Sequence, residues 1–195
     1  ITAITTFALG VLVFIANPKK RLNQIFGLYS LSIFWWAGTE AFLISAPNLA
    51  LALTYSRLEW SGKFFIAPIF LHTVCLLTSQ RPILSRAILR MAYASSALLL
   101  FLHLVLDAVT NPPRHVAYVP FFSSPTSIGL LTPIAFFIVV TFGLLKLWFA
   151  YRQATGQRRT QLKYLFWGSL IGYLGGSPDW FLAFGFHVPG LNPFG

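Results

Sequence analysis

Glu40 closes the run Trp35-Trp36-Ala37-Gly38-Thr39-Glu40 in a stretch that is otherwise apolar. Glu59 and Lys63 stand at i and i+4, a spacing that puts two side chains on one helix face and lets opposite charges pair; Arg57 and Trp60 are beside them. Asp179 follows a proline in Gly175-Gly176-Ser177-Pro178-Asp179-Trp180. A charge surrounded by hydrocarbon is expensive, so each of these groups is a functional candidate. Glu40, Arg57, Glu59, Lys63 and Asp179 form the candidate ligand-binding set: a polar cavity where a small ligand or a proton acts. The competing reading is an ion-pair cluster that fixes two helices.

The histidines offer a second chemistry. His72 lies three residues before Cys75, and His103 near the end of another apolar run; His115 and His187 fall in connecting segments. A histidine inside a membrane donates across helices or binds haem or a chlorophyll-type pigment axially. Structural hydrogen bonding is the leading reading for His72 and His103, and pigment or cofactor contact the second. His72 with the lone Cys75 is too small a donor set for a metal, and no disulfide can form within the chain. There is no Gly-rich phosphate loop, no His-Glu-x-x-His and no Gly-x-Ser-x-Gly elbow. The expectation is therefore no catalytic residue, no enzyme and no metal.

Those residues need elements to position them, and composition says which. Of the 195 residues 56% are hydrophobic and only 9% charged, with a mean hydropathy of +0.72. A soluble domain carries about 25% charged residues to solvate its surface. The expected class is an all-α membrane protein, a polytopic bundle of about six transmembrane helices forming one domain. At 1.5 Å per residue a bilayer core about 30 Å thick takes roughly 20 apolar residues. The spans expected are 1–16, 22–46, 55–78, 83–106, 128–151 and 162–186. They are separated by Asn17-Pro18-Lys19-Lys20-Arg21, Ser79-Gln80-Arg81-Pro82 and Gln153-Ala154-Thr155-Gly156-Gln157-Arg158-Arg159. The longest gap, Asp107 to Ser127, holds four prolines. It reads as an ordered external loop, with a short interfacial helix as the variant. The spacing of Gly168, Gly172 and Gly176 predicts a smooth face for close helix packing, and most tryptophans read as interfacial anchors.

The net charge of +10 is distributed by loop. Lys19, Lys20 and Arg21, then Arg81, Arg86 and Arg90, then Lys146, Arg152, Arg158, Arg159 and Lys163 flank alternate junctions; only Arg57, Lys63 and Arg114 lie on the other face. Positive loops stay in the cytoplasm, which places the N-terminus outside a bacterial inner membrane. In so apolar a chain the positive charge marks topology, and no nucleic-acid partner is expected. The chain opens on Ile1 without a basic leader, so a signal peptide is not expected.

Asn17-Pro18, Arg21-Leu22-Asn23-x-x-Phe26 and the following Trp35 or Trp36 resemble the opening of the N-terminal seven-transmembrane region of bacterial sensor histidine kinases. Arg57-Leu58-Glu59-Trp60 to Phe65 and Pro68 is similar to the same family. So are Arg158-Arg159-Thr160-Gln161-Leu162-Lys163-Tyr164-Leu165 and the turn Val188-Pro189-Gly190-Leu191-Asn192-Pro193. The resemblance implies a sensory module that detects a small or membrane-borne signal and passes it on by helix repacking to output domains. It also implies a seventh helix beyond the outer turn, and the chain stops at Gly195. The alternative reading is a non-catalytic accessory subunit of a larger membrane complex, pigment-binding, photosynthetic or redox. Partners expected are membrane lipids together with other membrane subunits or the protein's own output domains. A transporter is the weakest reading, for want of an inverted repeat.

Overall fold

The computed structural model describes residues 2–78, 83–116, 119–176, 180 and 184. In chain order the elements are α1 (Thr2–Ala16), α2 (Arg21–Ile44), α3 (Leu49–Leu77), α4 (Ile83–Leu106), β1 (Thr110–Val116), β2 (Val119–Pro125), α5 (Leu131–Gln153) and α6 (Gly156–Gly176). The all-α bundle expected from composition is what forms. Among the described residues three helices, Leu49–Leu77, Leu84–Leu106 and Leu131–Gln153, are long and apolar enough to cross a membrane, and Ala3–Ala16 is apolar but shorter. Polar positions hold the other two back: Arg21, Asn23, Gln24 and Glu40 in α2, and Arg158, Arg159, Gln161 and Lys163 in α6.

Neighbouring helices run antiparallel. A Cβ on Gly10 would collide with that of Ser30, and Phe7 stacks near Phe34, which pairs α1 with α2. The Trp35 indole donates to the Leu58 carbonyl at 2.8 Å while Tyr29 lies against Phe70, which pairs α2 with α3. α3 is the hub, packed on α2, α4, α5 and both strands. Its middle is buried on all sides, from Ile66 through Leu71. That burial explains why it reads as continuously apolar rather than as a stripe.

Pro68 lies inside α3. A proline has no N–H for the carbonyl four residues earlier, here Phe64, and a helix tolerates this in an apolar medium only when a neighbour supplies the donor. Ser96 of α4 does so, its hydroxyl donating to the Phe64 carbonyl at 2.6 Å.

Three helix starts differ from expectation. α3 begins at Leu49, well before Tyr55, because Asn48 caps it by accepting from the Leu51 N–H at 3.0 Å. α5 begins at Leu131 rather than 128, since Thr126 folds the preceding residues into a turn and accepts from the Gly129 N–H at 3.0 Å. α6 begins at Gly156 rather than 162: that glycine has φ +57°, a conformation it adopts without the cost a Cβ brings, and it makes the basic break helical. Arg158 thereby reaches the Leu77 carbonyl at the end of α3, 3.1 Å away, where a cation suits the helix dipole.

The segment expected as a loop or interfacial helix is a β-hairpin. β1 and β2 pair antiparallel, Thr110 opposite Pro125 and Arg114 opposite Phe122, with irregular register between. Pro112 and Pro113 cannot donate to the ladder, which accounts for the irregularity. Side-chain bonds hold its base: Thr126 donates to the Ala108 carbonyl at 2.5 Å, and Asn111 to the Pro125 carbonyl at 2.8 Å. The glycine face of α6 is a second correction. A Cβ on Gly168 or Gly172 would meet nothing within 4 Å, and one on Gly176 only Trp36 at 4.0 Å. The close packing falls instead at Gly62 and Gly143, where a Cβ would sit 2.8 Å from Trp35 and 2.7 Å from Phe70.

Candidate functional site

Glu59 and Lys63 form an ion pair one helical turn apart, with side chains 1% and 9% exposed. Burial this deep is sustained only when the charges are paired and further hydrogen bonds support them. One Glu59 oxygen takes the Lys63 ammonium, and the other accepts from the Ser123 hydroxyl of β2 at 2.9 Å. Ser123 in turn accepts from the Trp60 indole N–H at 2.8 Å. The direction is forced: an indole only donates, a carboxylate only accepts, and the hydroxyl between them does both. A hairpin residue is thus inserted into an ion pair of the central helix.

Three tryptophans wall the ammonium. Lys63 Nζ lies 5.3 Å from the Trp60 ring centre and 5.6 Å from those of Trp36 and Trp180. Indole faces attract a desolvated cation, so half of the six tryptophans act here rather than as interfacial anchors. Trp60 and Trp180 meet edge to face at 6.1 Å, and they share a buried cluster with Phe64, Leu99 and Val109. Below the ammonium, Ser95, Ser96 and Thr132 help line a cavity of about 20 Å³. That is room for one water and for nothing organic.

The remaining candidates divide. Glu40 is buried on α2, 7% exposed, one turn from Trp36 on the same face. Leu43, Ala46 and Ala52 cluster beyond it with Tyr55 and Phe121 of the hairpin. Arg57 does not join the cluster; it turns outward to Asp107 at 2.5 Å, both side chains more than half exposed. Asp179 with the proline before it, His187, Arg81 and the 188–193 turn lie outside the described residues. His103 is fully buried, edge-on to Phe64 at 5.7 Å, with Nε2 3.0 Å from the Arg57 carbonyl. A carbonyl only accepts, so Nε2 carries the proton. His72 lies toward the other end of α3, its Nδ1 3.2 Å from the Tyr93 hydroxyl. Both histidines thus bridge neighbouring helices, which gives the pigment reading no support from either ring.

Sequence reasoning missed Ser123, Trp36, Trp180 and Thr132. Phe122, Ser123 and Ser124 are buried in succession, so the strand carries no alternation to read, and nothing in the sequence says that Ser123 meets Glu59. Charge separates along the bundle: Glu40, Glu59 and Asp107 lie toward the hairpin end, whereas Arg21, Arg86, Arg90 and Arg158 lie at the other.

No curated protein and no solved structure matches the chain. The family described as the N-terminal 7TM region of histidine kinase matches residues 1–193. With a match over nearly its whole length, in a helical bundle with membrane-crossing helices, the chain belongs to that family of histidine kinase membrane regions.

Proposed function

We propose that this region is a multi-pass sensory input module of a bacterial inner membrane, with its N-terminus and hairpin outside and its arginine-rich end in the cytoplasm beside the output domains. All six helices cross in this reading; α2, at 24 residues, is roughly 36 Å long and sufficient by length, and α1, at 15 residues, is roughly 22 Å long and crosses with the bilayer thinned around it. The exposed apolar residues of the outer helices, such as Phe101, Ile138 and Ile171, then face lipid.

The observation that carries the sensory reading is Ser123 of the hairpin bound to the buried Glu59–Lys63 pair. The site has no room for an organic ligand in this packing, so a small or membrane-borne signal acts by favouring a second packing in which Ser123 withdraws and the tryptophan wall opens. A ligand shifts such an equilibrium only by its difference in affinity for the two packings. Glu40 borders the region that repacks, Asp179 is the second acid proposed to respond, and the sixth helix carries the change to the output side. Neither ligand identity nor catalysis is assigned to the region; the kinase chemistry belongs to the output domains.

The test is autophosphorylation of a histidine kinase carrying this region, in nanodiscs. Ser123→Ala and Glu59→Gln shift basal activity several-fold, whereas Arg57→Gln, which touches only the exposed pair with Asp107, leaves it unchanged. Equal activity in all variants would remove the hairpin contact from the mechanism. Orientation is tested separately by labelling single cysteines at 114 and 158 in a Cys75→Ala background; a position 158 reached only from outside would reverse it.

A further inference from the structure

A second cavity lies at the end of the bundle away from the hairpin. Its volume is about 390 Å³, and Arg21 of α2 with Arg86 and Arg90 of α4 stand around it, over a floor that includes His72, Ser85 and Tyr93. The three arginines are exposed at its mouth. Lys146 of α5 adds a fourth cation behind the floor, donating to the buried Ser85 hydroxyl at 3.1 Å.

Among the described residues no carboxylate pairs with Arg21, Arg86 or Arg90. Glu40 stands on the same helix as Arg21 but nineteen residues on, roughly 28 Å away along the axis. Glu59 pairs with Lys63 and Asp107 with Arg57. Helix dipoles make the excess larger. Arg21 is the first residue of α2 and Arg86 lies in the first turn of α4, and neither helix has an acid in that turn. Both cations thus sit at the positive end of their own helix, where an anion is favoured and a cation is not. An anion bound at this end would offset the excess.

We infer that this cavity binds the phosphodiester headgroup of an anionic membrane lipid. Arginine forks match phosphate oxygens, and basic pockets between helices at the membrane edge take such headgroups. The lipid is favoured over a free anion by what adjoins the mouth. Ala94, Ala97 and Phe101 of α4 follow Arg90 at i+4, i+7 and i+11, on its own helix face, and all three are exposed, Phe101 at 54%. They continue from Arg90 toward the middle of the bundle as a track for an acyl chain. The inference does not depend on the sensory reading, since it concerns the opposite end of the molecule and another set of residues.

Native mass spectrometry of the purified protein, released from nanodiscs of phosphatidylcholine with a minor fraction of phosphatidylglycerol, tests it. One phosphatidylglycerol stays bound. Arg86→Gln with Arg90→Gln weakens that retention about thirtyfold, taking each exposed arginine at the usual worth of a basic residue near an anionic surface. Arg114→Gln at the hairpin end leaves it unchanged. Thermal unfolding in pure phosphatidylcholine, equal for the double variant and the parent, shows that the fold is intact. Retention unaltered in the double variant overturns the site. Stabilisation by millimolar inorganic phosphate in pure phosphatidylcholine, equal to that from phosphatidylglycerol, overturns the lipid in favour of a soluble anion.

Discussion

Ser96 completes the helix to which it does not belong: its hydroxyl donates at 2.6 Å to the Phe64 carbonyl, which Pro68 has left without its own donor. The bond couples α3 to α4 beside the Lys63 cavity. Replacing Ser96 with alanine strands a buried carbonyl and costs about 1–3 kcal/mol. In a Pro68→Ala background residue 68 regains its N–H, Phe64 recovers an intrahelical partner, and the same Ser96→Ala change costs less than half as much. Unfolding of the four proteins of this cycle in one detergent measures the coupling; additive losses would show that serine and proline act separately.

A buried ion pair is costly to break from one side and inexpensive to remove whole. Lys63→Met leaves Glu59 charged, fully buried and held only by Ser123, a loss of about 3–5 kcal/mol. Adding Glu59→Gln removes the orphaned charge and keeps an acceptor for Ser123, so the double variant recovers most of that stability. Chemical denaturation in micelles distinguishes the two; a double variant as unstable as the single one would mean that Lys63 matters chiefly through its tryptophan contacts.

The bundle was legible because its cause is composition: long apolar runs broken by proline, asparagine and arginine specify helices wherever the medium is hydrocarbon. The pairing of Glu59 with Lys63 was equally local, four residues on one helix. Contacts between distant segments were not. Ser123 meets Glu59 across 64 positions, and Arg57 leaves the cluster for Asp107 across 50, both because a β-hairpin replaces the expected loop. Two short proline-bearing strands carry little periodicity to read. Asn48, by contrast, was a readable N-cap, and weighing it would have started α3 at the right residue. The glycines of α6 suggested packing by spacing alone, yet spacing cannot say whether a partner helix stands opposite.

Gly62 tests how closely α2 and α3 must approach. A Cβ there would stand 2.8 Å from the Trp35 ring and 3.2 Å from the Trp36 backbone nitrogen, and a backbone cannot rotate aside as a side chain does. Gly62→Ala therefore separates the helices, with an overpacking cost of about 1–3 kcal/mol despite the better helix propensity of alanine. Gly168→Ala on α6, with nothing within 4 Å, instead gains up to about 1 kcal/mol. Thermal midpoints of the two variants should move in opposite directions, and a rise at Gly62 would show that the interface is loose.

Asp107 combines two effects of opposite sign that one substitution series can separate. Its backbone is left-handed, φ +50°, just after the end of α4, a conformation costing roughly 1–2 kcal/mol for a residue with a Cβ. Its carboxylate pairs with Arg57 at 2.5 Å, but with side chains 59% and 55% exposed such a pair contributes about 0–1 kcal/mol. Backbone strain thus outweighs the ion pair. Asp107→Gly, which loses the pair and relieves the strain, is neutral to stabilising; Asp107→Ala loses the pair and keeps the strain, and is destabilised by up to about 1 kcal/mol. Asp107→Asn falls between, since asparagine tolerates the left-handed region better than alanine. The order Gly, Asn, Ala in thermal midpoint is the expected result. A glycine variant less stable than the alanine one would make the exposed ion pair, not the chain reversal into the hairpin, the reason for an aspartate at this corner.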